Sequence, residues 1–262
     1  METVWITGGS SGIGEACAYR WAEGGARLVL TAPTVEELEP VAARCREKGA
    51  PDVAVLPYDL SRPEGIPDLV KAAWEAFGSL DTVYLNAGIS QRTSVDDTSM
   101  EMLRTLMEID YFAPAGIAKE LLPRMVAQGG GHIGVTTSIA GRFGFRLRCG
   151  YCSAKAALYG FFETLQAENY DKGIRVTIVC PGRVRTNISL RALDKGGKPH
   201  GKMDPGQAGG ITVEKAARII VKAIRKGRRE VLVGSKELLM VYVKRFFPGL
   251  CARLAKIGRA HV

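Results

Sequence analysis

Two rhythms of apolar and polar positions alternate along this chain. Short runs rich in β-branched residues fall at Thr3–Thr7, Arg27–Thr31, Val53–Pro57, Thr82–Asn86, His132–Thr137, Ile174–Cys180 and Glu230–Val233. Between them lie longer stretches of helical character at Gly12–Gly24, Val35–Lys48, Pro63–Phe77, Ser99–Ala127, Tyr151–Tyr170 and Val213–Lys226. Strands that alternate with helices predict βαβ crossovers and a parallel sheet, an α/β fold. The strand runs are almost continuously apolar, as in Val4-Trp5-Ile6 and Val83-Tyr84-Leu85, which fits strands buried on both faces. No repeat, linker or low-complexity stretch divides the sequence, so one domain is expected over residues 1–234.

Two stretches break the rhythm. Residues 183–212 carry six glycines and two prolines in an irregular segment, the signature of a lid or functional loop. Residues 235–262 form a basic, apolar tail in which Leu239, Tyr242, Val243 and Phe246 recur at helical spacing among Lys244, Arg245, Arg253, Lys256 and Arg259. A basic amphipathic helix can lie on a membrane surface, pack on its own domain or a dimer mate, or act as a substrate-entry flap. Peripheral membrane contact would run through residues 236–259.

Composition narrows the class. Of 262 residues, 46% are hydrophobic and 24% charged, which suits a soluble globular protein and excludes a disordered or fibrous chain. The longest apolar run, Leu238 to Val243, is far below the roughly 18 residues of a membrane span. With a strand-like run already at Thr3, no leader is expected, and the protein is read as cytoplasmic. The net charge of +9 is uneven: residues 1–190 hold 19 Lys and Arg against 22 Asp and Glu, residues 191–262 hold 17 against 5. A basic C-terminal quarter points to solvent, an anionic membrane or an acidic substrate. Nucleic acid ranks last, since no nucleic-acid motif accompanies the charge. The six cysteines read as reduced thiols, and Cys149-x-x-Cys152 as chance spacing at a helix start. No second cysteine pair completes a zinc site, and the three histidines are far apart, so no metal is expected.

The chemistry begins after the first strand, at Thr7-Gly8-Gly9-Ser10-Ser11-Gly12-Ile13-Gly14, which leads straight into a helix. Glycines permit a tight turn and close backbone approach, and the helix N-terminus offers N–H groups to a pyrophosphate. A dinucleotide is therefore expected on Gly8, Ser10, Ser11, Gly12, Ile13 and Gly14. Tyr151 and Lys155 stand four apart on a predicted helix and share a face. An unperturbed tyrosine has a pKa of about 10, and a nearby ammonium favours its phenolate.

TGGSSGIG, then Asn86-Ala87-Gly88, Ser138, Tyr151-Cys152-Ser153-Ala154-Lys155 and Pro181-Gly182 together resemble the short-chain dehydrogenase/reductase family over residues 3–233. The resemblance implies a doubly wound Rossmann fold, a three-layer α/β/α arrangement with a parallel seven-stranded sheet ordered 3-2-1-4-5-6-7. It implies that Ser138 donates to the substrate oxygen, Tyr151 passes the proton, and Lys155 holds the cofactor ribose. It assigns Asp59 and Leu60 to the adenine and Pro181, Gly182 and Thr186 to the nicotinamide side, and counts Asn86, Ala87, Gly88 and Val184 among the cofactor-binding residues. Where the family commonly has Asn, this chain has Asp110, which can still anchor water but adds negative charge near Lys155.

The cofactor would be NADP or NAD. The second strand ends in Thr31-Ala32-Pro33-Thr34, which lacks both the carboxylate of NAD-specific sites and the arginines of NADP-specific ones. Absence of a carboxylate tips the balance to NADP. The stretches around Ser138–Gly144 and Gly160–Leu165 resemble steroid- and retinoid-type reductases, so the substrate is read as a lipophilic ketone or secondary alcohol. A homodimer or homotetramer is implied by the same resemblance. The rival readings are a catalytically degenerate NAD(P)-binding or sensing protein, and an epimerase or dehydratase with tightly held cofactor.

Overall fold

The computed structural model of the chain describes residues 1–257, with side chains as far as Leu254. Strands β1 (Thr3–Thr7), β2 (Arg27–Ala32), β3 (Val53–Pro57), β4 (Thr82–Leu85), β5 (Gly131–Thr136), β6 (Ile174–Pro181) and β7 (Glu230–Val233) build one sheet in the order β3-β2-β1-β4-β5-β6-β7. Every neighbouring pair is parallel. This is the doubly wound Rossmann arrangement, with seven strands as expected.

Successive side chains on each strand leave by opposite faces. On β1, Val4 and Ile6 enter one apolar layer while Trp5 enters the other. The first layer is closed by α1 (Gly12–Ala22) and α2 (Val35–Glu47), through residues such as Trp21 and Leu38. The second is closed by α3 (Ile66–Glu75) through Leu69.

The predicted helix over Ser99–Ala127 is not continuous. It splits into α4 (Met100–Met107) and α5 (Ala113–Ala127), joined by a π-helical turn at Glu108–Phe112. Pro114 has no N–H to offer the carbonyl of Asp110 four residues back, and the Ala113 N–H bonds the Glu108 carbonyl five residues back. The widened turn carries Asp110. After it come α6 (Cys149–Asn169), α7 (Pro205–Ala208) and α8 (Val213–Arg225). Helix α8 joins the first layer through Ile220 and Ile224, α5 and α6 the second through Ile117, Leu158 and Phe162.

The tail forms α9 (Leu239–Phe246) and α10 (Pro248–Ile257). The break falls at Phe247, where the following proline disfavours helical geometry. Leu238, Met240, Val241, Val243 and Cys251 pack onto the second layer, so the tail covers its own domain on one face. Leu239, Tyr242, Phe246, Phe247 and Leu250 face outward, each about half exposed or more. The side chain of Lys256, and Arg259, lie outside the described residues. No described helix is long and apolar enough to cross a membrane.

Phe162 is fully buried between α6 and the sheet. Phe162→Ala leaves a cavity there, and a loss of about 3–5 kcal/mol in unfolding free energy is expected. Denaturant titration of the two proteins measures it; a loss below about 1 kcal/mol would mean that this layer is loosely packed.

Candidate active site

In the sheet order, β1 lies between β2 and β4, so the chain winds away from it in both directions and opens a crevice at the strands' C-terminal ends. A cavity of about 390 Å³ occupies that crevice. The glycine turn forms its floor. Gly12 sits at φ +59, a left-handed conformation that costs a side-chain-bearing residue energy. A Cβ on Gly14 would stand 2.1 Å from the Gly8 carbonyl oxygen and 2.6 Å from Asn86 Nδ2, so only glycine lets the helix start this close to the strand. Thr7 fixes the neighbouring strand end, its Oγ1 accepting from the N–H groups of Asn86 (3.0 Å) and Ala87 (3.2 Å).

Gly8, Ser10, Ser11, Gly12 and Ile13 line the cavity, as do Asp59, Leu60, Asn86, Ala87 and Gly88. At its other side stand Ser138, Tyr151, Lys155, Pro181, Gly182, Val184 and Thr186. Gly14 and Asp110 lie behind the wall rather than on it. The cradle of close-packed glycines and the helix start fit a dinucleotide.

Tyr151 belongs to the first turn of α6. Its backbone N–H, one of the donors a helix start leaves unpaired, is taken by Gln91 Oε1 at 3.0 Å. Gln91 is itself fully buried, and its amide donates to Thr93 (2.9 Å) and Thr98 (3.1 Å). Ser138, just past β5, donates weakly to the Pro181 carbonyl at 3.4 Å. Lys155 Nζ donates to the Thr136 carbonyl at 3.2 Å and lies 3.9 Å from Asp110 Oδ2.

Asp110 is buried; its Oδ1 accepts from the Ile89 N–H at 2.8 Å, while Oδ2 has no hydrogen-bond partner. Burial pushes its carboxyl up to about 6, against the opposing pull of Lys155. Burial likewise lowers the Lys155 ammonium, with Asp110 opposing. Tyr151 is held above its ordinary value, by burial first and the Asp110 charge second; Ser138 acts the other way. The expected lowering of the phenol by Lys155 is thus not what the free site provides, because burial disfavours the phenolate and the Asp110 charge adds to that. The Cys152 thiol is raised by burial, which disfavours the thiolate that redox exchange needs.

Several lining groups escaped the sequence. Glu37, in the first turn of α2, lines the cavity near the end of β2, with its carboxylate 3.5 Å from Ser10 Oγ. Arg92, Arg148 and Asp204 meet on the lid side, although they are 56 and 112 residues apart where they touch. No local pattern could have linked them.

A family model described as short chain dehydrogenase matches residues 2–195. The chain is 35% identical over 257 residues to dehydrogenase/reductase SDR family member 7B of Bos taurus, covering 96% of this chain and 79% of that protein. It is 36% identical over 251 residues to dehydrogenase/reductase SDR family member 7 of Homo sapiens, covering 94% and 74%. Among solved structures, an alcohol dehydrogenase from the archaeon Thermococcus sibiricus complexed with 5-hydroxy-NADP superposes with a TM-score of 0.76 at 29% identity, covering 90% of this chain and 97% of that one. A short-chain dehydrogenase/reductase from Burkholderia phymatum in complex with NAD shares the fold, with a TM-score of 0.83 at 24% identity over 95% and 94% of the chains.

Asp110→Asn removes the anion that adds to burial in holding the Tyr151 phenol neutral, and leaves the ammonium unopposed. The Tyr151 titration, isolated by ultraviolet difference spectra against Tyr151→Phe in each background, is expected to move down by roughly one unit. An unmoved titration would show that the Asp110 charge does not reach the phenol.

Proposed function

The chain belongs to the short-chain dehydrogenase family, and we propose that it is an NAD(P)-dependent oxidoreductase interconverting a ketone and a secondary alcohol, with Tyr151 as acid/base. The observation that carries this reading is convergence: Ser138, Tyr151 and Lys155 line the same cavity as the glycine turn. A nicotinamide cofactor, when bound, supplies or accepts the hydride. The chain's own residues handle the oxygen and the proton. Ser138 Oγ leaves its weak bond to the Pro181 carbonyl and donates to the substrate oxygen. Tyr151 Oη gives its proton to that oxygen in reduction and takes it back in oxidation. Lys155, anchored on the Thr136 carbonyl, has donors to spare for a ribose hydroxyl and keeps positive charge near the phenol.

NADP is the proposed cofactor, because the turn after β2 carries no carboxylate at Ala32, Pro33 or Thr34. Glu37 opposes it from the same end of the cavity. Titration of NADPH and NADH, read by nicotinamide fluorescence, decides between them. Glu37→Gln is expected to tighten NADPH relative to NADH by several-fold, since a 2′-phosphate no longer meets the carboxylate.

The degenerate-binding alternative draws on Asp110, which disfavours the phenolate. Tyr151→Phe separates the two readings: turnover of apolar ketones falls by roughly 10²–10⁴ while cofactor affinity stays within about three-fold. Equal turnover by both proteins would remove Tyr151 from the chemistry.

The outward face of the tail supports peripheral contact with an anionic bilayer. Leu239, Tyr242, Phe246 and Phe247 are exposed beside Lys244 and Arg245, and basic residues near an anionic surface contribute about 1 kcal/mol each. The inner face packs on the core, so point changes test this better than truncation. Flotation with phosphatidylserine vesicles is expected for the natural chain and is lost in Phe246→Ser/Phe247→Ser; equal flotation of both would dismiss the bilayer.

A further inference from the structure

The half of the cavity beyond Tyr151 is walled by apolar side chains, among them Ile109, Phe145 and Ile188, yet its charged groups are strongly unbalanced. Arg92, Arg148 and Arg191 line it together with Asp204. Arg92 and Arg148 are largely buried, with side chains 6% and 15% exposed. Burial of a charge is tolerated only when it is paired.

Arg92 is fully engaged. Its Nε and Nη2 donate to Asp204, and its Nη1 to Ser90 Oγ and the Gln91 carbonyl. Arg148 gives Asp204 a single bond, from Nη2 at 2.9 Å. Its other guanidinium nitrogens make no hydrogen bond among the described residues, and Arg148 lines the cavity. One carboxylate therefore serves two buried guanidiniums, and a unit of positive charge is left over at the wall beside Tyr151. Burial, and after it the neighbouring Arg92 charge, lowers the Arg148 guanidinium, with Asp204 opposing.

The backbone at this point is held in an unusual state. Leu147, directly before Arg148, has φ +62, the single non-glycine residue with positive φ among those described. Such a conformation is strained and persists only where the surroundings enforce it. Here the Thr93 N–H bonds the Leu147 carbonyl at 3.2 Å, and a bridge pairs Thr93 with Arg148. The strained step delivers Arg148 to the N-cap of the very helix that carries Tyr151, three residues on.

Resting on the oxidoreductase reading, we propose that the substrate carries a carboxylate as well as its ketone or alcohol, and that Arg148 receives that carboxylate. A guanidinium fork with free donors matches a carboxylate in shape and charge. A carboxylate cancels the charge that Arg148 leaves over. The apolar walls then take the hydrocarbon between the two groups, and Arg191 adds a second cation on the lid. The substrate class is an oxo or hydroxy acid with an aliphatic body.

Binding of decanoate and of its methyl ester tests this without requiring turnover. Both are titrated into the full chain by calorimetry, once without cofactor and once with saturating NADPH or NADH. Decanoate is expected to bind at least ten-fold more tightly than the ester, the size of one charge-assisted contact. Arg148→Met should abolish that preference, and Arg148→Lys should restore part of it. Cofactor affinity, within about three-fold of the natural chain, certifies that each variant is folded. Equal binding of acid and ester, or no decanoate binding by a folded protein, overturns the proposal. Failure of both nicotinamide cofactors to bind would sink the oxidoreductase reading, and the cofactor-free titration would still decide the role of Arg148.

Discussion

All seven strands run the same way, and each is therefore left at one edge of the sheet and re-entered from the other. That constraint governs the rest of the molecule. Both sheet faces must be covered by the crossover helices, which is why Val4 and Ile6 on one side of β1 and Trp5 on the other are all fully buried. All turns that follow strands collect at a single edge. The glycine turn after β1, Asn86-Ala87-Gly88 after β4, Ser138 after β5 and Gly182 after β6 become neighbours there without any contact in sequence. Reversal of winding between β1 and β4 keeps that edge open, since no crossover passes over it.

Within the crevice, burial and charge pull against each other. Burial penalises the Lys155 charge. Asp110 relieves that penalty and adds to the burial that holds the Tyr151 phenol in its neutral form. A carboxyl held near 6 is mostly ionised at neutral pH, so in the free protein the site is arranged for proton retention. Asp110 reaches its place because the α4–α5 connection is over-wide by one residue, and that widening traces to Pro114. A backbone rule at one position therefore fixes a charge at another. Removing Asp110 alters the electrostatics of Lys155 and Tyr151 at once, and its effect on either cannot be read as a pairwise interaction.

Local signals were legible and distant ones were not. Strand positions could be read within a residue or two, because a strand buried on both faces is apolar without interruption. The glycine turn was legible because its chemistry needs the backbone itself, which leaves a mark in residue type. Ser138, Tyr151 and Lys155 could be read only through family resemblance; their spacing alone is common in helices. The π-helical turn was hidden, since helical periodicity runs straight through Glu108–Phe112 and a single proline decides the outcome. Gln91, which pins the start of α6, carries no signal at all until α6 is placed beside it. The tail was legible as amphipathic, but which face packs depends on the surface it meets.

Asp204 shows how far such distant contacts can reach. It stands at the N-cap position of the short helix α7, and its carboxylate, which makes no capping bond, is the acceptor for one guanidinium from the β4 loop and another from the start of α6. The lid is thus tied through one carboxylate to both walls of the cavity. The two ties are unequal. Arg92 holds Asp204 through a fork and spends its other donors on Ser90 and Gln91, whereas Arg148 holds it by one bond. A second anion can compete for Arg148 while Arg92 keeps the lid in register. Recognition at the cavity wall and retention of the lid therefore depend on the same carboxylate yet need not exclude each other, because burial makes the Arg92 contact the costlier one to break.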